Sequence, residues 1–146
     1  MKSIILKSVT LLLICAGFFA FTSKPGGEGF EIYLNDKVVL QQFGSEMNTV
    51  KSISLQQSSK NETLRIKYYH CGRIGKERLI TIKNGQDKVL KVFRYKDAAV
   101  PSSTMTLEVK EVLNLKNGST LKLYYSSSEL TKGRLLATIL VPDNSK

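Results

Sequence analysis

Residues 79–95, which read LITIKNGQDKVLKVFRY, decide the fold of this chain. Apolar and polar side chains alternate on both sides of the central Asn84-Gly85 pair. Such a period of two is typical of β-strands that bury one face. An Asn-Gly pair between two runs of this kind is a strong hairpin signal. The stretch therefore predicts two antiparallel strands, at 79–83 and 88–95.

The same alternation extends outward from this hairpin in both directions. It recurs at 30–34 and 64–69 upstream, and at 105–109 and 121–125 downstream. Because no helical run is long enough to cover a sheet, the apolar face of one sheet must pack against another sheet. We therefore predict an all-β fold, a single antiparallel β-sandwich of about eight strands that spans residues 30–141.

The local structure of four further segments can also be predicted. The phase of the alternation slips near Glu111-Val112, which predicts a β-bulge within one long strand. A second hairpin signal, Asn117-Gly118, then leads into the strand at 121–125. Residues 126–133 are predicted to form a loop. The apolar run 134–141 is predicted to form a central strand that is covered on both faces.

The first 23 residues have the pattern of a secretory signal peptide. Lys2 and Lys7 give a positive start, and the apolar run 9–21 follows. That run is shorter than the about 20 residues of a membrane-spanning helix, and small residues with a Pro-Gly-Gly breaker come after it. We expect segment 1–23 to be removed. The protein is then exported, periplasmic or extracellular, with no permanent transmembrane anchor.

Cys15 lies inside the apolar run, so a lipoprotein is the alternative to a cleaved signal. A lipidated cysteine normally follows a small residue and ends the apolar run. Here Ile14 precedes Cys15 and the apolar run continues beyond it, which disfavours the lipoprotein. Residues 24–29 are expected to be a flexible lead-in to the domain, and residues 142–146 a C-terminal tail.

Loss of residues 1–23 leaves one cysteine, Cys71, and one histidine, His70. A single cysteine cannot form an intramolecular disulfide. One cysteine and one histidine cannot build a structural zinc site of the usual kind. The alternating Asp/Asn pattern of a calcium loop is also absent from the sequence. We therefore predict no metal and no cofactor.

The chain is strongly basic, with 22 basic and 12 acidic side chains and a formal net charge of +10. Without Lys2 and Lys7, 20 basic side chains remain (22 minus 2) and the net charge is +8 (20 minus 12). This excess favours an anionic partner, such as an acidic glycan or another envelope component. Alternatively, dispersed lysines keep a β-protein soluble and protect its edges. Nucleic acid is not expected as a partner of an exported protein.

Outward-facing basic and aromatic residues are the first candidate binding positions. Alternation places Arg65, Lys67 and Tyr69 on the outward face of one strand. It places Lys122 and Tyr124 on the outward face of another. Aromatic rings beside cations suit sugars and anionic head groups. The alternative is ordinary cross-strand pairing on a solvated sheet face.

The segment that follows Tyr69 carries two further possibilities. Backbone amides together with Arg73 and Lys76 could form an anion nest. His70 and Cys71 could form a catalytic pair, since a thiolate nucleophile needs a base within hydrogen-bond reach. Neighbours on a strand point to opposite faces, so this pair requires a bend at Cys71. We therefore predict no catalytic residue.

Three groups of residues resemble a family of proteins. The groups are Tyr69-His70-Cys71-Gly72 with Gly75-Lys76 and Arg78, then Ile82-Lys83-Asn84-Gly85 with Lys88-Val89-Leu90-Lys91, and finally Leu123-Tyr124-Tyr125-Ser126-Ser127 with Lys132-Gly133-Arg134-Leu135-Leu136-Ala137. Across most of residues 62–140 the chain resembles small, uncharacterised exported β-sandwich proteins of Bacteroidota-type bacteria. The resemblance implies an exported β-domain and no particular activity.

These features predict an exported, non-enzymatic module that binds an anionic or glycan partner. Two alternatives stay open. The first is a protein-protein partner or inhibitor that acts through its loops at 72–75 or 126–133. The second, which the strand geometry disfavours, is a thiol-dependent enzyme centred on His70 and Cys71.

Overall fold

The computed structural model describes residues 27–115 and 120–142 of the chain. Within these ranges the chain forms nine strands, one short α-helix and two short 3-10 helices. The elements are β1 (Glu28–Leu34), β2 (Lys37–Phe43), a 3-10 helix (Gly44–Asn48), β3 (Lys51–Ser54), a 3-10 helix (Gln57–Ser59), β4 (Thr63–His70), β5 (Leu79–Asn84), β6 (Val89–Arg94), β7 (Thr104–Glu108), α1 (Val109–Leu113), β8 (Thr120–Ser127) and β9 (Leu130–Leu140).

The strands form two sheets, one of four strands in the order β2-β1-β4-β7 and one of five in the order β3-β9-β8-β5-β6. The pairs are antiparallel except for β3 with β9, which is parallel. The sheets pack on one shared core, which confirms the predicted all-β sandwich. β1 begins at Glu28, so Glu28 and Gly29 belong to the sheet rather than to the expected lead-in.

The core lies between the sheets and takes every second residue of the strands. In β4, Leu64, Ile66 and Tyr68 point inward and are buried, while Arg65 and Lys67 between them remain partly exposed. Full burial of one large apolar side chain contributes about 1.5–3 kcal/mol. A one-residue slip would expose all three apolar side chains. Core burial therefore determines which side chains face outward.

The predicted hairpin at 79–95 is confirmed as β5 and β6. The N–H of Asn84 donates to the carbonyl of Lys88 at 2.9 Å. Its side-chain Oδ1 accepts from the N–H groups of Gln86 at 3.0 Å and Lys88 at 2.9 Å. Asp87 adopts a φ of 63°, a left-handed conformation that Asp and Asn tolerate. Asn84 therefore holds the turn together from within.

The predicted β-bulge at Glu111-Val112 is wrong, because this segment lies in α1. The apolar side chains of α1 are buried at the spacing of one helix face. Through α1 the chain passes from β7 in the four-stranded sheet to β8 in the five-stranded sheet. β7 and β8 are therefore not hairpin partners, and Asn117-Gly118 lies outside the described residues.

The predicted loop at 126–133 is also wrong. β8 extends to Ser127 and β9 begins at Leu130, so a tight turn joins the two strands. A backbone bond from Ser128 N–H to the carbonyl of Lys76, 2.9 Å long, ties this turn to the loop between β4 and β5. Strand pairing therefore orders this segment, although its serine-rich composition is typical of a loop.

β9 is an interior strand between β3 and β8, as predicted. It is not covered on both faces, because Leu140 stays 43% exposed. Leu123 pairs with Ala137 while Tyr124 pairs with Leu135, which leaves Leu136 as an extra residue. This β-bulge, rather than burial on both faces, explains the consecutive apolar residues.

Candidate functional site

The two sets of predicted strand residues lie on opposite outer surfaces of the sandwich. Arg65, Lys67 and Tyr69 face outward from β4 in the four-stranded sheet. Lys122 and Tyr124 face outward from β8 in the five-stranded sheet. Because the core separates the sheets, these five residues do not form one surface.

The outer surface of the four-stranded sheet carries the larger group of aromatic rings. Tyr33 of β1 lies opposite Arg65 of β4 in register. Phe43 of β2 and Tyr69 of β4 both lie opposite Gly29 of β1, on its two sides. We call the surface formed by Tyr33, Phe43, Arg65, Lys67 and Tyr69 the aromatic-basic face. The Nζ of Lys67 lies 5.2 Å, and the guanidinium carbon of Arg65 lies 5.6 Å, from the centre of the Tyr33 ring. Both distances are within cation–π range.

One carboxylate holds two of these rings in place. The hydroxyls of Tyr33 and Tyr69 each donate a hydrogen bond of 2.8 Å to Oε2 of Glu31. Burial, and then the bond to Glu31, raise the pKa of both phenols above the usual 10.0. The two hydrogen bonds fix the orientation of both rings.

Gly29 makes room for the third ring. It lies between Phe43 and Tyr69 in register, and a Cβ at this position would collide with the Phe43 ring. The centres of the Phe43 and Tyr69 rings are 5.7 Å apart, with planes tilted by 46°. The sequence reasoning did not identify Tyr33 and Phe43, although their outward positions follow from the same alternation.

The two cations of the aromatic-basic face differ in their partners. Nη2 of Arg65 lies 2.8 Å from Oδ1 of Asp36, whose side chain is 95% exposed. Such an exposed pair contributes only about 0–1 kcal/mol. Within residues 27–115 and 120–142, no carboxylate oxygen lies within 4.0 Å of the Lys67 ammonium. Lys67 can therefore meet an external anion.

On the opposite surface, Lys122 and Tyr124 both meet Asp87. Nζ of Lys122 lies 2.9 Å from Oδ1 of Asp87, and the Tyr124 hydroxyl donates to the same oxygen at 3.4 Å. The hydrogen bond between Lys122 and Asp87 lowers the pKa of Asp87 and raises the pKa of Lys122. Nζ of Lys83 lies 4.1 Å from the centre of the Tyr124 ring. Lys122 is therefore already paired within the chain.

Two amides of the loop between β4 and β5 that could belong to an anion nest already have partners. The N–H of Lys76 donates to Oε2 of Glu129 at 3.0 Å, and the N–H of Glu77 donates to Oδ1 of Asp97 at 2.9 Å. These two amides already bind carboxylates of the same chain and are not free to bind an external anion. The side chains of Arg73 and Lys76 are exposed and could meet a partner only as separate surface charges.

His70 and Cys71 point in different directions and form no dyad. His70 is 8% exposed, whereas Cys71 is exposed and adopts a φ of 52°. Nε2 of His70 shares a hydrogen bond of 2.8 Å with the Tyr125 hydroxyl and lies 3.5 Å from Oγ of Ser127. The bend at Cys71 turns the thiol towards solvent rather than towards the imidazole.

The ring of His70 belongs to a buried aromatic cluster. Its centre lies 4.7 Å from that of Tyr68 and 5.5 Å from that of Tyr125, and the two tyrosines stack at 4.3 Å. Burial lowers the pKa of His70, because the charged form loses its hydration. A Cβ at Gly75 would lie 2.9 Å from the Tyr125 hydroxyl oxygen. The β4–β5 loop therefore closes tightly over this end of the core.

An open cleft of about 490 Å³ lies beside the cluster. The β4–β5 loop, the end of β6 and the β8–β9 turn enclose it, which is why alternation within single strands did not predict it. Two arginines, one glutamate and four serine or threonine side chains line it together with Leu79 and the ring of Tyr95. Its lining residues are Glu77, Arg78, Leu79, Arg94, Tyr95, Ser126, Ser127, Ser128 and Thr131.

Two further features bear on function. Among the described residues, no group of three or more His, Cys, Asp or Glu side chains is placed to hold a metal ion. In the same part of the chain, no helix is long and apolar enough to span a membrane.

No protein-family model matches the chain, and no curated protein matches it. The geometry of its own residues therefore carries the functional argument.

Proposed function

We propose that this chain is an exported, non-enzymatic protein that binds an acidic polysaccharide on its aromatic-basic face. The observation that carries the proposal is three aromatic rings together with Arg65 and Lys67 on one open sheet surface. Aromatic rings offer apolar faces to sugar rings. The cations attract carboxylate or sulfate groups.

The shape of this face favours an extended ligand over a small one. The face is the outer surface of a sheet, and Phe43 and Tyr69 extend from strands on either side of β1. The centres of these two rings are only 5.7 Å apart beside Gly29. Tyr33, opposite Arg65, lies four residues further along β1 (33 minus 29), about 13 Å away. An oligosaccharide can contact both groups at once, whereas a single sugar reaches only one.

The tyrosines of the face are already ordered before a ligand arrives. Glu31 holds the hydroxyls of Tyr33 and Tyr69, so binding need not restrict these rings further. Ordering a mobile side chain on binding costs about 0.5–1.5 kcal/mol. The carboxylate of Glu31 is opposed by Lys67, its register partner on β4. Glu31 and Asp36 thus offset the charges of Lys67 and Arg65. Attraction of a polyanion therefore depends on the Lys67 ammonium, which has no ion-pair partner among the described residues, and on the net charge of the whole protein.

The overall charge supports the same partner. After removal of segment 1–23 the net charge is +8 (20 minus 12), and such an excess steers polyanions towards the protein. The expected export places the protein where acidic polysaccharides occur. Screening by salt should weaken this attraction.

Combining Lys67→Gln with Tyr69→Ala tests the proposal. The two changes remove an unpaired cation and an ordered ring from the face. We expect the affinity for polygalacturonate at low salt to fall by about tenfold or more. Isothermal titration calorimetry measures this loss, and the unmodified protein should itself bind more weakly as salt rises.

Combining Lys122→Gln with Tyr124→Ala is the matched control, since it makes the same two changes on the opposite surface. It should change the affinity by less than about twofold. An equal loss in both double variants would show that net charge alone attracts the ligand. A protein with no affinity at low salt for polygalacturonate or a sulfated glycan would refute the proposed function.

A further inference from the structure

The cleft at the end of the five-stranded sheet is a second site, separate from the aromatic-basic face. We propose that it binds a small hydroxylated carboxylate of the chemical class of hexuronic acids. The proposal rests on the charge, hydroxyl groups and volume of the cleft. It does not depend on the function proposed for the four-stranded sheet.

The wall of the cleft contains a buried cation without a carboxylate partner. Arg78 is 7% exposed. Its Nε and Nη2 donate to the carbonyl of Lys96 at 3.0 and 2.9 Å, and its Nη1 donates to the carbonyl of Ser103 at 3.0 Å. These acceptors fix the guanidinium in place but carry no charge.

Within the described residues, the charge of Arg78 is stabilised by carbonyl dipoles and not by a carboxylate. No carboxylate oxygen of the described residues lies within 4.0 Å of its guanidinium. Buried charges are normally paired. A guanidinium has five N–H donors, and the three carbonyl contacts leave two (five minus three) without an acceptor among the described residues. A carboxylate bound in the cleft would both neutralise the charge and accept from these donors.

Arg94 adds a second cation at the open side of the cleft. It lies at the end of β6, opposite Leu79 of β5, and it is exposed. Within the described ranges it also forms no salt bridge. Arg94 can therefore contact a ligand that Arg78 holds from the inner wall.

The rest of the lining suits a sugar rather than a simple anion. Ser126, Ser127, Ser128 and Thr131 provide hydroxyls, which can both donate to and accept from the hydroxyls of a sugar. The volume of about 490 Å³ falls within the about 300–1,000 Å³ of small-ligand sites. Glu77 opposes an anion, but its carboxylate already accepts from Oγ of Ser128 at 2.6 Å.

A pair of substitutions with opposite charge effects tests the cleft. Arg94→Gln removes one positive charge from the lining, and Glu77→Gln removes one negative charge while keeping an acceptor for Ser128. With sodium D-glucuronate as the probe, Arg94→Gln should weaken binding about tenfold and Glu77→Gln should tighten it about threefold. Titrations followed by amide NMR shifts measure both affinities. Arg73→Gln, a change of an exposed arginine outside the lining, should leave the affinity unchanged.

Three results would overturn the inference. The first is no saturable binding of D-glucuronate at about 10 mM. The second is equal affinity for neutral D-glucose. The third is equal affinity of the Arg94→Gln and Arg73→Gln variants. The variant that combines Lys67→Gln with Tyr69→Ala should bind D-glucuronate normally, so a failure of the aromatic-basic face and a failure of the cleft are distinguishable.

Discussion

His70 is buried among aromatic rings, unlike a histidine that is exposed for catalysis. Its ring packs against Tyr68 and Tyr125 at one end of the core, and burial lowers its pKa from the usual 6.5. The folded protein therefore keeps the imidazole neutral at pH values where the unfolded chain takes up a proton. The same burial that separates His70 from Cys71 makes it a determinant of stability.

The free energy of unfolding should fall in acid because of His70. The unfolded chain binds the proton near the usual pKa of 6.5, whereas the folded protein binds it only at lower pH. The stability is therefore complete above pH 6.5 and decreases as the pH falls towards the lowered pKa. The slope between the two pKa values is at most about 1.4 kcal/mol per pH unit. Urea unfolding between about pH 5 and pH 8 measures it.

His70→Gln is the control for this pH dependence. The amide keeps a polar partner for the Tyr125 hydroxyl but does not titrate. We expect a lower stability at all pH values and a flatter profile between about pH 5 and pH 7. A variant with the same slope as the unmodified protein would assign the pH dependence to another group.

At the scale of elements, the β5–β6 hairpin depends on one turn residue. Asn84→Ala removes two side-chain hydrogen bonds to the N–H groups of Gln86 and Lys88. We expect a loss of about 1–2 kcal/mol in the free energy of unfolding. Asn61→Ala changes an exposed asparagine, and it should cost less than about 0.5 kcal/mol. Equal losses in the two variants, measured by urea unfolding, would show that the turn bonds do not stabilise the hairpin.

Alternation predicted the elements that bury one face and missed those that depend on contacts between segments. β4, β5 and β6 follow the period of two closely enough to be located from sequence. The sequence predicts a bulged strand where α1 lies, because the spacing of Val109 and Val112 fits a short helix as well as a slipped strand. The serines at 126–128 predict a loop, but in the structure Ser126 pairs with Leu79 of β5 and Ser127 with Leu130 of β9.

At the scale of the whole molecule, the sequence predicts which residues face outward, but it does not predict which of these residues lie next to each other on the folded surface. Lys67 and Lys122 occupy equivalent positions in their strand patterns, and only the sheet order places them on opposite surfaces. Tyr33 and Phe43 join Lys67 because their strands pair side by side. The candidate face could therefore be predicted in part from its own strand, and completed only from the strand pairing.

The cleft could not be predicted from the sequence either, because its lining comes from separate segments. Arg78, Arg94 and Ser127 come from three segments that meet only in the folded chain. Nothing in the local pattern around Arg78 indicates that its side chain is buried or that carbonyls rather than carboxylates surround it. Such a site depends on loop closure over the end of the core.

A titration of the ¹⁵N-labelled protein with oligogalacturonate at low salt tests the central claim most directly. Binding on the aromatic-basic face predicts the largest amide shift changes along β1 and β4, at Glu31, Tyr33, Lys67 and Tyr69, and these changes should fade as salt is raised. Changes confined to β8 around Lys122, or no saturable change at low salt, would contradict it.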